Sequence, residues 1–404
     1  MKKLILSMAL IGATTLAFGQ KKVMRSAEKN FKSGDLTAAM ADITAASADA
    51  ETGVDPSTYL LKAKIQSKMF GTDSTNNESN LEVGKEALST YMKAFEMAGS
   101  NKDDGVGEEV FAEDISGVPD NLRPYSVITL KNISFDKAID RYTENDLEMA
   151  YGFFDLAGEI DLTDTTIHYN SAYLANELEM YEEAKRHYRY LLDIDGYNKL
   201  NSYYSMVQIE SGQDKDPDAA YATVMAGREE YPEDKILAEY EIQLLLQLNK
   251  MDEAMAQIQL ALKNDPDNAS ILLRSGYLKE QSGDIEGGLA DYKKSVQIDP
   301  TYFQGNYYTG ALLLEQSVKL LNTLNDLSDS DWEIQSPIVG KKADENYKEA
   351  AKYFESALDI QPDNTEIMAI LFQINTRLKN ETEAEKYNNK LIELKGPNWM
   401  EDGE

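Results

Sequence analysis

Two consecutive segments of the sequence share one length and one pattern: KILAEYEIQLLLQLNKMDEAMAQIQLALKNDPDN (residues 235–268) and ASILLRSGYLKEQSGDIEGGLADYKKSVQIDPTY (residues 269–302). Each is 34 residues long, a period typical of stacked helix-turn-helix units. A small residue, an apolar or aromatic residue, a second small residue and a proline recur at matching offsets: Ala254, Ile258, Ala261 and Pro266, then Gly288, Tyr292, Ser295 and Pro300. We therefore predict an all-α fold of antiparallel helix pairs.

The same register extends along most of the chain and predicts its domain organisation. An acidic, glycine-rich stretch interrupts it at residues 99–121, as is typical of a linker or surface loop. After Phe303 the second-helix positions arrive late by almost one repeat, which indicates an overlong hairpin with its tip near Trp332. The predicted segments are 1–19 (signal peptide), 20–98 (N-terminal helical hairpins), 99–121 (linker), 122–164 (irregular hairpin), 165–302 (regular repeat array), 303–364 (unit with the extended hairpin) and 365–398 (C-terminal capping repeat).

With these residues in register, the sequence resembles the tetratricopeptide repeat family over nearly all of the chain after residue 19. The resemblance implies a right-handed superhelical solenoid whose first helices line a concave groove for peptides or partner domains. The segment YKEAAKYFESALDIQPDN (residues 347–364) also resembles exported repeat proteins of Bacteroidetes. One departure from the family is the missing first-helix aromatic, because His168, Ala238 and Leu272 stand at that offset.

The family resemblance further implies which first-helix residues face the groove. Tyrosines at such positions favour peptide recognition, because they give a large apolar contact and a hydroxyl at low entropic cost. The alternative is packing between repeats, which we predict for Tyr188 and Tyr292. Acidic residues among the groove positions favour basic or neutral partners. The predicted partner-binding residues are Tyr169, Tyr173, Asn176, Gln243, Leu246, Tyr277 and Tyr307.

The amino terminus predicts export. Lys2 and Lys3 precede an apolar run over residues 4–18, and small residues lead to a cleavage site after Gly19, the pattern of a secretory signal peptide. The sequence therefore predicts a periplasmic or secreted protein. Because the chain has no cysteine, we expect neither a lipid-modified cysteine nor disulfides. No later segment approaches the ~20 apolar residues that an integral membrane span requires.

The charge of the chain disfavours two classes of partner. There are 71 acidic and 40 basic residues, which gives a formal net charge of −31. Such a charge repels the phosphate backbone of nucleic acids and anionic lipid surfaces. We therefore expect a protein or peptide partner and no nucleic acid.

The sequence offers little catalytic chemistry. It contains no nucleophile elbow, zinc-protease helix or phosphate loop, so we predict no enzyme activity and no cofactor. His168 and His187 belong to one predicted repeat and could approach each other, but two histidines without a ligand-spacing motif predict no metal site. Paired carboxylates leave one enzymatic alternative, a helical toroid that acts on glycans.

These observations lead to one hypothesis about function with an alternative mode of binding. We expect a non-catalytic interaction scaffold of the bacterial cell envelope that binds a peptide or partner domain in its concave groove. In the alternative, the projecting hairpin, residues 318–346, docks the protein into an envelope or secretion assembly.

Overall fold

The fold is helical throughout the part of the chain that the structure, a computed structural model, describes. That part comprises residues 22–115, 117–119 and 122–400, and every regular element in it is a helix. The all-α class is confirmed. The predicted signal peptide, residues 1–19, lies outside the described residues. The chain divides into two compact units, Met1–Lys215 and Asp216–Glu404. Over the described ranges, no helix is both long enough and apolar enough to cross a membrane.

The first unit is built from consecutive helices that pack against their neighbours in the chain. A 3-10 turn at Thr52–Val54 and a π-helical turn at Ile209–Gln213 interrupt the series. Its helices are α1 (residues 22–33), α2 (Leu36–Ser47), α3 (Pro56–Thr72), α4 (Glu78–Met97), α5 (Gly105–Val110), α6 (Val127–Thr143), α7 (Leu147–Ile160), α8 (Thr165–Glu177), α9 (Tyr181–Leu192) and α10 (Leu200–Gln208).

The second unit continues the helix pairs with shorter connections. Its helices are α11 (Pro217–Glu230), α12 (Lys235–Gln247), α13 (Met251–Asn264), α14 (Ala269–Gln281), α15 (Ile285–Ile298), α16 (Phe303–Asn322), α17 (Asp329–Ile360), α18 (Thr365–Arg377) and α19 (Glu381–Lys395). The pairs α12–α13, α14–α15, α16–α17 and α18–α19 are the helical hairpins of this unit.

The turns inside the α12–α13 and α14–α15 hairpins have the same backbone geometry. Asn249 and Gly283, which are one period apart, both have a positive φ, at 57° and 89°. The amide of Lys250 then donates to the Leu245 carbonyl, and the amide of Asp284 donates to the Lys279 carbonyl, each at 2.8 Å. This pattern closes the end of the first helix and satisfies carbonyls that would otherwise lack partners. The repeat in sequence is therefore also a repeat in turn conformation.

Small residues in the second unit let the helices of a pair approach closely. A Cβ on Gly288 would lie 2.8 Å from the Gly276 carbonyl oxygen, and a Cβ on Gly276 would lie 2.5 Å from the Tyr292 ring. Tyr292 is fully buried and donates a hydrogen bond to Glu280 at 2.8 Å. Its ring also lies 6.0 Å from that of Tyr308 in the next repeat, as the predicted packing between repeats requires. Tyr188 in the first unit is also buried, at 5% exposure.

The region predicted as a linker contains the short helix α5 and is held by specific contacts. Val110 is fully buried, and the Phe111 ring packs edge-on against Phe95 with centroids 5.0 Å apart. Asp114 accepts hydrogen bonds from Arg123 at 2.7 Å and from Asn132 at 3.0 Å. The segment is therefore anchored to α4 and α6 by an aromatic contact and by one carboxylate.

Helices α16 and α17 form a hairpin that is much longer than the others. α16 has 20 residues and α17 has 32, and no residue between 318 and 342 is buried. The last buried positions of the hairpin are Ser317 and Ala343, where the Ser317 hydroxyl donates to the Ala343 carbonyl at 3.3 Å. Beyond this point the side chains are at most partly buried, as Leu321 is against the core cluster that contains Leu313.

The last helix pair is covered by a side chain that follows it. Gly396 ends α19 with a φ of 92°, and the chain turns back so that Trp399 is only 8% exposed. Its indole Nε1 donates to Asn388 at 3.0 Å, and its ring packs edge-on against Phe372. Trp399 therefore shields the end of the core cluster that includes Leu371.

Candidate interaction surfaces

Three of the predicted partner-binding residues share one face of α8. Tyr169 and Tyr173 are each 43% exposed, and Asn176 is half-buried. They are spaced by four and three residues, so they lie along one side of the helix. The opposite side carries Ile167, Ser171 and Leu174, all of which are buried. The structure thus places two large aromatic side chains next to each other at the surface of the first unit.

The remaining four predicted residues belong to the second unit and differ in exposure. Tyr277 on α14 is 37% exposed. Gln243 and Leu246 on α12 are half-buried, and Leu246 packs at the edge of a core cluster that contains Ile242 and Leu278. Of these four residues, only Tyr277 combines an aromatic side chain with the exposure predicted for a groove residue.

Tyr307 is tied to its own unit by a specific hydrogen bond. Its hydroxyl donates to Glu366 at 2.9 Å, which links α16 to α18. Its ring lies 5.9 Å from that of Phe354 in an edge-on contact and 6.1 Å from that of Phe303. Burial, with the Glu366 carboxylate as a second cause, raises the pKa of Tyr307. Tyr307 therefore contributes to packing between repeats as well as to the surface.

Acidic residues of the predicted groove have hydrogen-bond or ion-pair partners within the protein. Glu239 accepts a hydrogen bond from Asn268 at 3.1 Å, and Glu280 accepts the one from Tyr292. Glu315 forms an ion pair with Lys319 on the same helix. The repeat pattern singles out Tyr292 but neither Asn268 nor Lys319, and it does not show which carboxylate any of the three contacts.

The two histidines meet inside the first unit, between α8 and α9. Their Nδ1 atoms are 3.0 Å apart, and both side chains are buried. Nε2 of His187 lies 3.3 Å from Asp155, whereas Nε2 of His168 is buried without a hydrogen-bond partner. One Nδ1 must donate and the other accept. The repeat register predicts that the two histidines can approach each other, but it gives no sign of Asp155, which lies on α7.

The charges around this pair form a small network. Arg186 donates to Asp155 at 2.5 Å and to Glu183 at 2.7 Å. Burial alone would raise the pKa of Asp155, but hydrogen bonds from His187 and Arg186 hold it below its usual value. Burial first, and the neighbouring His187 second, lower the pKa of His168. Among the described residues there is no group of three or more histidine, aspartate and glutamate side chains that could hold a metal ion.

The extended hairpin presents apolar side chains to solvent. Ile334 is 68% exposed, Ile338 is 69% exposed and Trp332 is 49% exposed. Ile334 and Ile338 are four residues apart and thus lie on one face of α17. Exposed large apolar side chains that cluster in this way mark candidate interaction surfaces.

Comparison with protein-family models identifies tetratricopeptide repeats in two parts of the chain. One tetratricopeptide repeat model matches residues 241–303, and a second matches residues 342–396. The resemblance read from the sequence is confirmed for these segments. Stacked repeats of this kind form extended surfaces for binding other proteins, which supports a role as a protein-interaction scaffold.

One curated relative and several solved structures are similar to this chain. The DnaJ homolog subfamily C member 7 homolog of Schizosaccharomyces pombe is 28% identical over 140 residues, which is 34% of this chain and 26% of that protein. This chain thus spans about a quarter of the relative that it matches.

Among solved structures, YrrB, a tetratricopeptide repeat protein with an unusual peptide-binding site, is 21% identical and has a TM-score of 0.36, covering 53% of this chain and 95% of its own. MamA from Desulfovibrio magneticus RS-1 is 14% identical and has a TM-score of 0.37, covering 50% of this chain and 97% of its own. A tetratricopeptide repeat protein from Parabacteroides merdae is 16% identical and has a TM-score of 0.28, covering 69% of this chain and 93% of its own.

Proposed function

We propose that the protein is a non-catalytic scaffold of the bacterial cell envelope that binds a peptide or a partner domain through the exposed faces of its first helices. The observation that carries this proposal is the pair Tyr169 and Tyr173, two neighbouring tyrosines that the fold leaves at the surface of α8. Burying an aromatic ring that is already held on a rigid helix gives much of the binding energy at low entropic cost. Tyr277 offers the same kind of contact on α14.

The test of this proposal is crosslinking in cells with the full chain and with variants of the tyrosines. We expect the double variant Tyr169→Ala and Tyr173→Ala to lose at least one crosslinked protein. We expect Tyr277→Ala, which changes the second unit, to weaken or abolish the crosslink to that protein. Tyr142→Ala is the matched control, because Tyr142 is 47% exposed on α6 but is not a predicted groove residue. Retention of every crosslinked protein by the tyrosine variants would contradict groove binding, and turnover of a glycan would contradict a non-catalytic role.

Export to the envelope is part of the proposal and has its own test. The support for it is the sequence of residues 1–19, with two lysines followed by an apolar run. Mass spectrometry of the protein from the native host should find a chain that begins at Gln20. A chain that retains residues 1–19 and stays in the cytoplasm would contradict the proposed location in the envelope. It would not contradict the proposed binding role.

The extended hairpin supports a second mode of binding. Trp332, Ile334 and Ile338 lie on a segment in which no residue is buried between 318 and 342. Large apolar side chains on a projecting helix lose contact with water only when a partner covers them. In this mode the hairpin docks the scaffold into an envelope or secretion assembly, while the first helices remain free for another partner.

A further inference from the structure

Helix α12 differs from the other first helices at its fourth residue. In five of them this residue is buried and larger than alanine: His168 in α8 (0% exposed), Tyr203 in α10 (7%), Leu272 in α14 (3%), Asn306 in α16 (1%) and Met368 in α18 (1%). In α12 the fourth residue is Ala238, which is half-buried. The space that a large side chain fills in the other helices is therefore not filled by the chain here.

A cavity of about 240 Å³ lies at this place in the second unit. Ala238 and Ile242 of α12 line it, together with Leu260 and Ala261 of α13 and Ile271 of α14. Leu260 is 48% exposed, so the apolar wall reaches the surface. An apolar cavity of about 150 Å³ is large enough to hold benzene, and the present one has room for an indole or phenol ring.

The rim of the cavity is charged, with a negative excess. Two cations, Arg228 and Lys235, and four carboxylates, those of Glu233, Asp234, Glu239 and Asp265, line it.

Both cations of the rim already have acidic partners. The Lys235 ammonium lies 2.8 Å from Asp265, and the Arg228 guanidinium lies 3.0 Å from Glu241. The remaining negative charge favours a basic group beside whatever enters the cavity.

We propose that this cavity binds an aromatic side chain of a peptide partner, with a lysine or arginine next to the aromatic residue. The partner's ring takes the place of the first-helix side chain that α12 lacks. It packs on Ala238, Leu260 and Ala261, with Ile242 and Ile271 at the base of the cavity. The inference rests on the proposed role as a protein-binding scaffold. The site, however, does not include Gln243, Leu246, Tyr277 or Tyr307, so it can exist whether or not the tyrosine surfaces bind.

The experiment follows the isoleucine methyl groups of the full chain by NMR while a probe is added. The probe is N-acetyl-Trp-Lys-amide, and N-acetyl-Trp-Glu-amide is its charge-reversed counterpart. We expect the methyl signals of Ile242 and Ile271 to shift at millimolar probe, while that of Ile367, which is buried in α18, stays in place. At low salt the lysine probe should bind about three- to fivefold more tightly than the glutamate probe, because exposed charge pairs have modest effects that salt screens.

Two variants test whether the probe enters the cavity. Ala238→Phe supplies the missing ring from the chain itself, so we expect it to abolish the shifts and to raise the unfolding temperature by about 2–4 °C. Leu260→Ala removes apolar wall from a half-exposed position and should weaken binding about threefold or more without unfolding the chain. It keeps the proposal testable if Ala238→Phe does not fold.

Tyr277→Ala is the control that separates this site from the tyrosine surface. It should leave binding of the probe unchanged even if it loses a partner in cells. The absence of any shift at 20 mM probe, or equal affinity in Ala238→Phe or Leu260→Ala and the unmodified chain, would overturn the inference while leaving the proposed function in place.

Discussion

The imidazoles of His168 and His187 face each other through their Nδ1 atoms at 3.0 Å, one from each helix of the same hairpin. A second proton at this contact would place two N–H groups head to head, and no room exists for both. His168 is also fully buried and stacks on Tyr190, with ring centroids 4.8 Å apart. The folded protein therefore favours the neutral form of His168, so the stability that α8 gains from its packing depends on pH.

The first prediction is that the first unit loses stability as the pH falls below about 6.5. The pKa of His168 is lowered in the folded protein, so the unfolded chain binds more protons in this range, and its free energy decreases relative to that of the folded state. The loss reaches up to about 1.4 kcal/mol at pH 5.5. Urea unfolding of the full chain at pH 7.5, 6.5 and 5.5 measures it.

A variant isolates the histidine from the other groups that titrate nearby. Asp155, Glu159, Glu183 and Arg186 surround the pair, and burial raises the pKa of Glu159, which has the opposite effect on stability. His168→Leu uses the residue that stands at the same offset in α14, namely Leu272. We expect it to flatten the pH dependence between 7.5 and 5.5, and an unchanged slope would contradict the assignment to His168.

The second prediction concerns the close approach of α14 and α15. Gly288→Ala places a methyl group 2.8 Å from the Gly276 carbonyl oxygen, which costs about 1–3 kcal/mol of overpacking against a gain of up to about 1 kcal/mol in helix propensity. We expect a net loss of about 1–2 kcal/mol and faster hydrogen exchange in α15. Gly340→Ala in α17 is the control, because nothing lies within 4 Å of its added Cβ, and it should gain about 0.5–1 kcal/mol.

The third prediction compares the two tryptophans of the chain. Trp399→Ala removes a buried side chain and leaves Asn388 without its indole donor, so we expect a loss of about 3 kcal/mol from α18 and α19. Trp332→Ala changes a half-exposed side chain and should alter stability by less than about 0.5 kcal/mol. Thermal unfolding and hydrogen exchange of α18 measure both. Equal effects of the two substitutions would show that Trp399 does not protect the end of the core.

The fourth prediction is that the tip of the extended hairpin can be removed without unfolding the second unit. Because Ser317 and Ala343 are in contact, a short turn can join the two helices just beyond them and replace most of residues 318–342. The truncated protein should keep its unfolding temperature within about 2 °C, since no buried residue is lost.

The truncated chain then decides between the two modes of binding. If the hairpin docks the protein, the truncation removes a crosslinked partner that the tyrosine variants retain. The double variant Ile334→Glu and Ile338→Glu is the matched control, because it keeps the full length of the hairpin and removes only two apolar side chains. It should lose the same partner. Full retention of partners by both variants would leave the first helices as the binding surface.

Some features of the site followed from periodicity, and others depended on contacts between distant residues. The surface positions of Tyr169, Tyr173 and Tyr277 could be predicted because helical spacing alone separates one face of a helix from the other. The hydrogen bond from Tyr307 to Glu366 and the position of Asp155 beside His187 could not, because each joins residues from different repeats or helix pairs. Trp399 likewise covers Asn388 only because Gly396 redirects the chain after α19.

The sequence by itself determined the helical class, the repeats and the turns between paired helices, because these depend on interactions over a few residues that recur with one period. Only the tertiary structure decided which groups meet: the two histidines, the glycines of α14 and α15, and the cavity beside Ala238. The physical reason is that packing depends on the combined volumes of side chains from neighbouring helices. A single small residue therefore fills its place or leaves a cavity according to the side chains that surround it. The sequence shows only that Ala238 stands where the family has an aromatic residue, whereas the fold shows that a cavity lies beside it.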